Sequence, residues 1–234
     1  MINQSEELAK KNISKPIKLV LEPELAMLEL FPTVYLATHG ETAWTVTGQY
    51  GGLTDLPLTE HGEAEARALK RRLHGFPLAK VFTSPLQRDC RTCELAGFGA
   101  VAEIESELLE WNYGVYEGRT DAEIRAEHDQ WSLFRDGCPH GDSPAEVAAR
   151  ADRLISRLRA IHDDVLLFSS THFTRALAMR WIGFGLATNA RRFALDTASL
   201  SALGYENNLS RPVIRLWNDT RHTSRLSAQR GLAS

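Results

Sequence analysis

The sequence predicts a single α/β domain in which a mostly parallel central sheet carries helices on both faces. Its 234 residues are 43% hydrophobic and 24% charged, which suits one sizeable core. Apolar runs of strand length alternate with segments of helical periodicity, a pattern typical of parallel strands joined by helices. The first such run, residues 34–37, is apolar and partly β-branched, as expected for a strand buried on both faces.

The segment after this strand contains helix boundary signals. Thr59 is predicted to cap a helix that runs to about Leu73, with glutamates in the first turn, where the helix dipole favours anions. Residues 81–83 then form a second buried strand. Pro85 is predicted as the first residue of the following helix, a position that proline favours.

The second half of the chain repeats this alternation. Capping boxes at 120–123 and 143–146 predict two helices, and the second of these has an apolar face that is expected to pack on the sheet. The remaining predicted elements are a strand over 165–169, a helix over about 173–181, and strands over 198–205 and 213–217.

Three regions are predicted along the chain. Residues 1–31 form an N-terminal extension, residues 32–218 form the α/β domain, and residues 219–234 form a polar C-terminal tail without periodicity. The extension includes a short amphipathic helix after Pro23. Packing is the favoured role for this extension, and a homodimer contact is the alternative.

Composition argues against several classes of protein. A net charge of -3 and a pI near 6.3 give no electrostatic case for a nucleic-acid partner. No apolar stretch approaches the roughly 18 residues of a membrane span, and no signal-peptide pattern begins the chain. We therefore expect a cytoplasmic protein without a membrane partner.

The cysteines give little indication of function. Their number, three, is odd and does not suggest a disulfide framework. Cys90 and Cys93 form a C-x-x-C that would suit metal or redox chemistry, but the same spacing follows from helix periodicity, which is the favoured interpretation.

The candidate nucleophile is His39, at the carboxyl end of the first predicted strand. Active sites of parallel sheets gather at these ends. Gly40 follows, where the backbone can turn and bring an amide close to a ligand. An isolated histidine here is more often an ordinary residue ending a core strand, so the assignment depends on further motifs.

Residues 38–42, Thr-His-Gly-Glu-Thr, resemble the Arg-His-Gly-Glu-Thr signature of the histidine phosphatase superfamily, the phosphoglycerate mutase-like proteins. The likeness extends from about residue 34 to 218 and implies their fold. Two further segments resemble family motifs: residues 83–88 contain Ser-Pro-Leu-x-Arg, and residues 107–118 contain an acidic segment followed by a Gly-aromatic-Glu-Gly turn. Residues 48–57 and 131–139 are similar to the branch of the family that contains sugar-bisphosphate phosphatases.

The resemblance implies a role for each matching residue. It makes His39 the nucleophile, Arg88 the phosphate-binding residue and Glu110 the proton donor. A neutral imidazole can carry the phosphoryl group as phosphohistidine without a metal or cofactor, and an arginine fork matches phosphate oxygens. The implied ligand is a small anionic substrate. Candidate substrate-binding residues are Thr38, Gly40, Thr42, Gln49, Tyr50, Ser170, Thr171 and His172.

The chain departs from the family pattern at two positions. Thr38 stands where the signature has an arginine that binds the phosphoryl oxygens. The later catalytic histidine of the family, in Ser-His-Gly-His-Phe-x-Arg, aligns with His172 in one register. A second register, which also matches Phe173 and Arg175, aligns it with Ser170. This second alignment has the longer contiguous match and is favoured.

Two functions stay open at this point. The first is a phosphatase-like hydrolase acting on a small phosphorylated metabolite, with weak or atypical activity because Thr38 and Ser170 replace the expected cations. Losing one charge-stabilising donor typically costs ~10²–10³ in rate. The second is a repurposed member, either catalysing a non-phosphatase reaction with His39 and Glu110 as acid and base, or binding a ligand or protein as a pseudophosphatase.

Overall fold

The core of the protein is a six-stranded sheet. The computed structural model describes residues 31–187, 192–224 and 226. The strands are β1 (Val34–Thr38), β2 (Leu78–Thr83), β3 (Glu103–Ile104), β4 (Asp164–Ser169), β5 (Leu200–Glu206) and β6 (Asn208–Asp219). The helices are α1 (Ala43–Thr47), α2 (Glu60–Leu73), α3 (Gln87–Leu95), α4 (Asp121–Glu127), α5 (Leu133–Asp136), α6 (Pro144–Leu158) and α7 (Thr171–Trp181), with 3₁₀ turns at Ser106–Leu108 and Gly114–Tyr116.

The strand order is β3-β2-β4-β1-β5-β6. The strands β1, β2, β3 and β4 run parallel to one another, whereas β5 runs antiparallel to β1 and forms an antiparallel pair with β6. The predicted mostly parallel sheet is therefore confirmed. The short Asn207 connection between β5 and β6 explains the antiparallel edge, because only antiparallel strands can be joined by so tight a turn.

Side chains that alternate along the central strands belong to two separate apolar clusters. Leu36 and Leu167 belong to one cluster, which includes the buried faces of α6 and α7. Ala37 and Leu166 belong to the other, together with residues of α2 and α3. Because neighbouring residues of a strand face opposite sides of a sheet, the two clusters lie on opposite faces. The predicted helices on both faces are thus confirmed.

Helix starts follow the predicted caps in most places. Thr59 caps α2, and Thr120 and Ser143 form the capping boxes of α4 and α6. The prediction was wrong for α3, which begins at Gln87 and not at Pro85. The Ser84 hydroxyl accepts the Leu86 backbone N–H at 3.3 Å, and Leu86 is extended, so the chain makes a turn before it enters the helix.

Other predicted boundaries shift as well. Strand β2 begins at Leu78 instead of residue 81, and β5 begins at Leu200 instead of residue 198. Helix α7 begins at Thr171, two residues earlier than predicted, and β6 begins at Asn208, well before the predicted residue 213. Asp219, assigned to the C-terminal tail, is instead the last residue of β6, where it is buried and pairs with Arg72 at 3.1 Å. The Arg221 and Arg72 side chains hold the pKa of Asp219 well below its usual range.

The predicted extension lies almost wholly outside the described residues, including the helix proposed after Pro23. Its last residue, Phe31, packs edge-on against Tyr205 with ring centroids 6.3 Å apart. Within the described part of the chain, no helix combines the length and the apolar character needed to cross a membrane.

Candidate active site

One cavity, of about 70 Å³, lies where the chain leaves the carboxyl ends of β1, β2 and β4. Eight of the eleven predicted site residues line it: His39, Thr42, Gln49, Tyr50, Arg88, Glu110, Thr171 and His172. The other three, Thr38, Gly40 and Ser170, are buried and are not among its lining residues. The fold therefore brings together residues that are up to 133 positions apart in the sequence.

His39 is held in one tautomer. Its Nδ1 lies 2.8 Å from the carbonyl oxygen of Gly40, and a carbonyl can only accept, so Nδ1 carries the proton. The lone pair is then on Nε2. Burial and the neighbouring Arg88 lower the pKa of His39 to about 3, so the imidazole is neutral at physiological pH and fit to act as a nucleophile.

Arg88 is buried at the second position of α3, and most of its donors already have partners. Nη2 donates to the carbonyl of Gly52 at 2.7 Å, and Nη1 donates to that of Thr54 at 2.9 Å. Nε and Nη2 also contact the Ser170 hydroxyl, each at 3.3 Å. Since guanidinium has five N–H donors, these contacts leave one N–H of Nη1 for a ligand.

Glu110 is fixed by backbone amides. Its carboxylate accepts the N–H of Trp111 at 2.9 Å, of His172 at 3.0 Å and of Phe173 at 2.8 Å. Two of these amides belong to the first turn of α7, whose own N-cap residue, Ser170, makes no side-chain cap bond. Glu110 thus caps α7 from outside the helix, which explains why α7 begins earlier than predicted.

The two positions that depart from the family pattern are engaged within the protein. The Thr38 hydroxyl donates to the carbonyl of Asp196 at 2.7 Å and accepts the Ser199 N–H at 2.9 Å, so it faces the loop before β5. The Ser170 hydroxyl contacts Arg88 and also lies 3.5 Å from Oδ2 of Asp89. Neither side chain lines the cavity.

The N–H group of Gly40 is engaged within the protein. Its N–H donates to the hydroxyl of Thr92 at 3.0 Å. A Cβ at Gly40 would lie 2.3 Å from the carbonyl oxygen of Gly62 in α2, closer than atoms can approach. Glycine is required here because the backbone of the segment that follows β1 contacts the backbone of the first turn of α2.

His172 closes the opposite side of the cavity with two tyrosines. Its Nδ1 lies 2.6 Å from the Tyr113 hydroxyl, and the Tyr50 ring stacks on Tyr113 with centroids 4.7 Å apart. Burial and Arg175 lower the pKa of His172 to about 3, so it adds no positive charge near neutral pH. Gln49 is held at both ends, by the Thr47 hydroxyl and the Gly118 carbonyl.

A second cavity adjoins the first, since Tyr50 and His172 line both. Arg175 lies in its wall, and the Nε of this arginine is buried without a hydrogen-bond partner in the described part of the chain. The other lining residues are Asp121, Ser132, Leu133 and Phe134. Arg175 thus places a positive charge beside the His39 cavity but not among its lining residues.

Several residues of the first cavity were not predicted from the sequence. They are Trp44, Thr45, Gly51, Leu56 and Tyr113. The position of Tyr113 inside the acidic 107–118 motif was an available signal for that residue. Asp89, buried directly behind the cavity, had no signal apart from its place beside Arg88.

Comparison with known proteins agrees with this geometry. The family model of the histidine phosphatase superfamily (branch 1) matches residues 34–220. An acid phosphatase of Mycobacterium tuberculosis is 39% identical over 179 residues, which cover 74% of this chain and 87% of the relative. A sedoheptulose 1,7-bisphosphatase of Saccharomyces cerevisiae is 31% identical over 192 residues, covering 68% of this chain and 71% of that protein.

A solved structure shares the same architecture. The product of an open reading frame of Mycobacterium tuberculosis superimposes with a TM-score of 0.77 at 35% identity, over 81% of this chain and 99% of the other. Three findings lead to one assignment: a family model covers most of the chain, relatives are more than 30% identical to it, and the cavity at the sheet edge contains a histidine. The chain belongs to branch 1 of the histidine phosphatase superfamily.

Proposed function

We propose that this chain is a phosphohydrolase that cleaves a phosphate monoester of a small metabolite through a phosphorylated His39. The observation that carries the proposal is the tautomer of His39, whose Nδ1 is bonded to the Gly40 carbonyl, so that Nε2 keeps a lone pair. A phosphatase nucleophile needs this arrangement, whereas an ordinary histidine at a strand end does not. The acid phosphatase and the bisphosphatase among its relatives support the same reaction class.

The reaction has two balanced steps. First, Nε2 of His39 attacks phosphorus, the ester P–O bond breaks, and the leaving alkoxide takes a proton from the carboxyl group of Glu110. Second, water gives a proton back to Glu110 and attacks the phosphohistidine, and the P–N bond breaks to release inorganic phosphate. Arg88 stabilises the charge on the transferred oxygens. The imidazole is itself the nucleophile, so no metal has to supply one.

The adjoining cavity supports a substrate with a second negative group. Arg175 places a half-buried guanidinium there, and its buried Nε has no partner in the described part of the chain. A small metabolite bound at His39 and extending past Tyr50 and His172, which line both cavities, would reach it. A distal phosphate or carboxylate would match the arginine fork.

We expect this activity to be weak. Thr38 and Ser170 supply no cation, and only one N–H of Arg88 is left for the phosphoryl group. Each missing charge-stabilising donor costs ~10²–10³ in rate. These losses are not additive for groups that act together, so a measurable residual rate is expected.

A second candidate function is a pseudophosphatase that binds a ligand or protein without turnover, and one observation favours it. The two departing positions are not open gaps, because the Thr38 hydroxyl is bonded to the Asp196 carbonyl and Ser170 holds Arg88. A pocket whose polar groups satisfy one another is suited to a less charged ligand.

The test is phosphate release from sugar phosphates, phosphoglycerates and a chromogenic monoester by the native protein, by His39→Ala and by the restored double variant Thr38→Arg, Ser170→His. The control is His162→Ala, which removes an exposed imidazole. Native turnover that His39→Ala abolishes and His162→Ala preserves is the expected result. Turnover by the restored variant alone would contradict the proposal and assign the pseudophosphatase function.

A further inference from the structure

A buried carboxylate stands behind the cavity wall. Asp89, the third residue of α3, is 0% exposed, and its Oδ1 has no hydrogen-bond partner within the described residues. Its Oδ2 lies 3.5 Å from the hydroxyl of Ser170. A buried, half-unpartnered carboxyl group is unfavourable unless something compensates for it. Another group near Asp89 is therefore expected to stabilise it.

Ser170 links this carboxyl group to the phosphate-binding arginine. Its hydroxyl contacts Nε and Nη2 of Arg88, each at 3.3 Å, on one side and Oδ2 of Asp89 on the other. A hydroxyl has two lone pairs and one proton, so it can accept from the guanidinium and donate to the carboxylate at once. Asp89 thereby acts as an internal counter-ion of Arg88.

The balance of charge at the cavity follows from this link. Arg88 is the one cation among the described lining residues, and the carboxyl group of Asp89 lies behind it on the far side of Ser170. His39 and His172 are neutral, since their pKa values are lowered to about 3. With Asp89 ionised the positive charge of Arg88 is offset, which weakens the attraction of the cavity for a dianion more than for a monoanion.

We propose that Asp89 is a specificity-determining residue that neutralises Arg88 through Ser170 and so restricts the His39 cavity to tetrahedral groups with one negative charge, a phosphate ester in its monoanionic form in preference to the dianion. The inference deepens the proposed function and depends on it for the phosphate ester as ligand.

The environment of Asp89 makes its charge switchable near neutral pH. Burial raises its pKa to about 7, while Arg88 and the hydroxyls of Ser84 and Ser170 oppose that rise and Glu110 adds to it. The remaining titratable groups around it are the thiols of Cys90 and Cys93 on the same helix, and burial raises the pKa of both. They therefore stay protonated while Asp89 titrates.

The test uses two tetrahedral probes whose own charge does not change with pH: sulfate, a dianion, and methyl sulfate, a monoanion. Their affinities for the native protein and for Asp89→Asn are measured by calorimetry at about pH 5.5 and about pH 8.5, on either side of the pKa of Asp89. Asp163→Asn is the matched control, because Asp163 is exposed and lies far from Asp89 in the sequence.

In the native protein, sulfate should bind about 10-fold more weakly at the higher pH, and methyl sulfate should change much less. Asp89→Asn should bind sulfate about 10-fold more tightly than the native protein at the higher pH and lose the pH dependence, and Asp163→Asn should match the native protein. A purely structural role would not remove the pH dependence. Asp89→Ala serves as a second variant if Asp89→Asn does not fold.

Three results would overturn the inference. They are equal sulfate affinities of the native protein and Asp89→Asn, an equal dependence of those affinities on pH, and no binding of either probe by either protein. The readout is separate from turnover. If phosphate release fails in all variants while sulfate binding follows Asp89 as described, the proposed hydrolysis is wrong and the role of Asp89 in setting the charge of the ligand stands.

Discussion

At the scale of single residues, Glu110 joins two tasks in one carboxyl group. It lines the cavity as the proposed proton donor, and it accepts three backbone N–H groups, two of them from the first turn of α7. The same helix presents Thr171 and His172 to the cavity. Replacing Glu110 therefore affects the position of substrate-binding residues as well as the chemistry.

We predict that Glu110→Ala destabilises the protein by at least about 2 kcal/mol, because each buried amide left without an acceptor costs about 1–3 kcal/mol. Urea unfolding at neutral pH measures the change. Glu94→Ala is the control, since Glu94 is exposed and pairs with Arg91 at the surface, where an ion pair contributes about 0–1 kcal/mol. Equal losses for the two variants would show that the α7 amides do not depend on Glu110.

The identity of the site residues could be predicted from the sequence, but their hydrogen-bond partners could not. Arg88 follows from its Ser-Pro-Leu-x-Arg motif. The carbonyls of Gly52 and Thr54, which take up its donors, belong to a loop that only the fold brings to it, and backbone carbonyls leave no trace in a sequence. Asp89 was missed for the same reason, since nothing in its neighbours marks it as buried.

At the scale of elements, a contact between the segment that follows β1 and the first turn of α2 fixes the direction in which the chain leaves β1 at His39. Gly40 and Gly62 face one another, and a Cβ on Gly62 would lie 2.1 Å from the carbonyl oxygen of Glu41. Glycine inside a helix normally weakens it by about 1 kcal/mol relative to alanine. Here close packing of two backbones outweighs helix propensity.

We predict that Gly62→Ala lowers the free energy of unfolding by about 1–3 kcal/mol despite the gain in helix propensity, because the backbone at Glu41, after β1, and the first turn of α2 must separate to admit the methyl group. Thermal and urea unfolding provide the measurement. Gly185→Ala is the control, because an added Cβ there meets open space. A Gly62→Ala protein as stable as the native one would show that the crossing can relax.

Element types were predictable where a side chain marks the boundary. Thr59, Thr120 and Ser143 cap the helices that the sequence assigned to them, because capping is a local interaction. The starts of α3 and α7 were missed since Ser84 and Glu110 act on them through contacts outside the helix. The antiparallel edge strands depend on pairing between strands, which a single strand pattern does not contain.

At the scale of the whole molecule, the buried titratable groups have opposite effects on stability as the pH changes. His39 and His172 have folded pKa values of about 3 against 6.5 for the free side chain. Their contribution to stability is complete above about pH 6.5 and is lost as the pH falls towards 3. Asp89 has a folded pKa of about 7 against 3.8, so its contribution is complete below about pH 3.8 and is lost as the pH rises through 7.

Between about pH 5 and 6 the unfolded chain therefore binds two imidazole protons that the folded protein lacks, and the folded protein binds the one proton on Asp89. The net difference of one proton makes the free energy of unfolding rise by about 1.4 kcal/mol per pH unit. The half-buried His222, whose pKa burial also lowers, adds to the same slope.

We predict that Asp89→Asn steepens this slope by about 1.4 kcal/mol per pH unit, because it removes the one proton that the folded protein binds more tightly. The variant should also be more stable than the native protein above pH 7, where the native fold has to bury an ionised carboxylate. Urea unfolding at intervals of half a pH unit gives both quantities, with Asp163→Asn as the exposed control.

Parallel profiles of unfolding free energy against pH for the native protein and Asp89→Asn would mean that Asp89 is already ionised in the folded state at pH 5. The charge at the cavity would then be constant, and selection of a monoanion could not depend on pH.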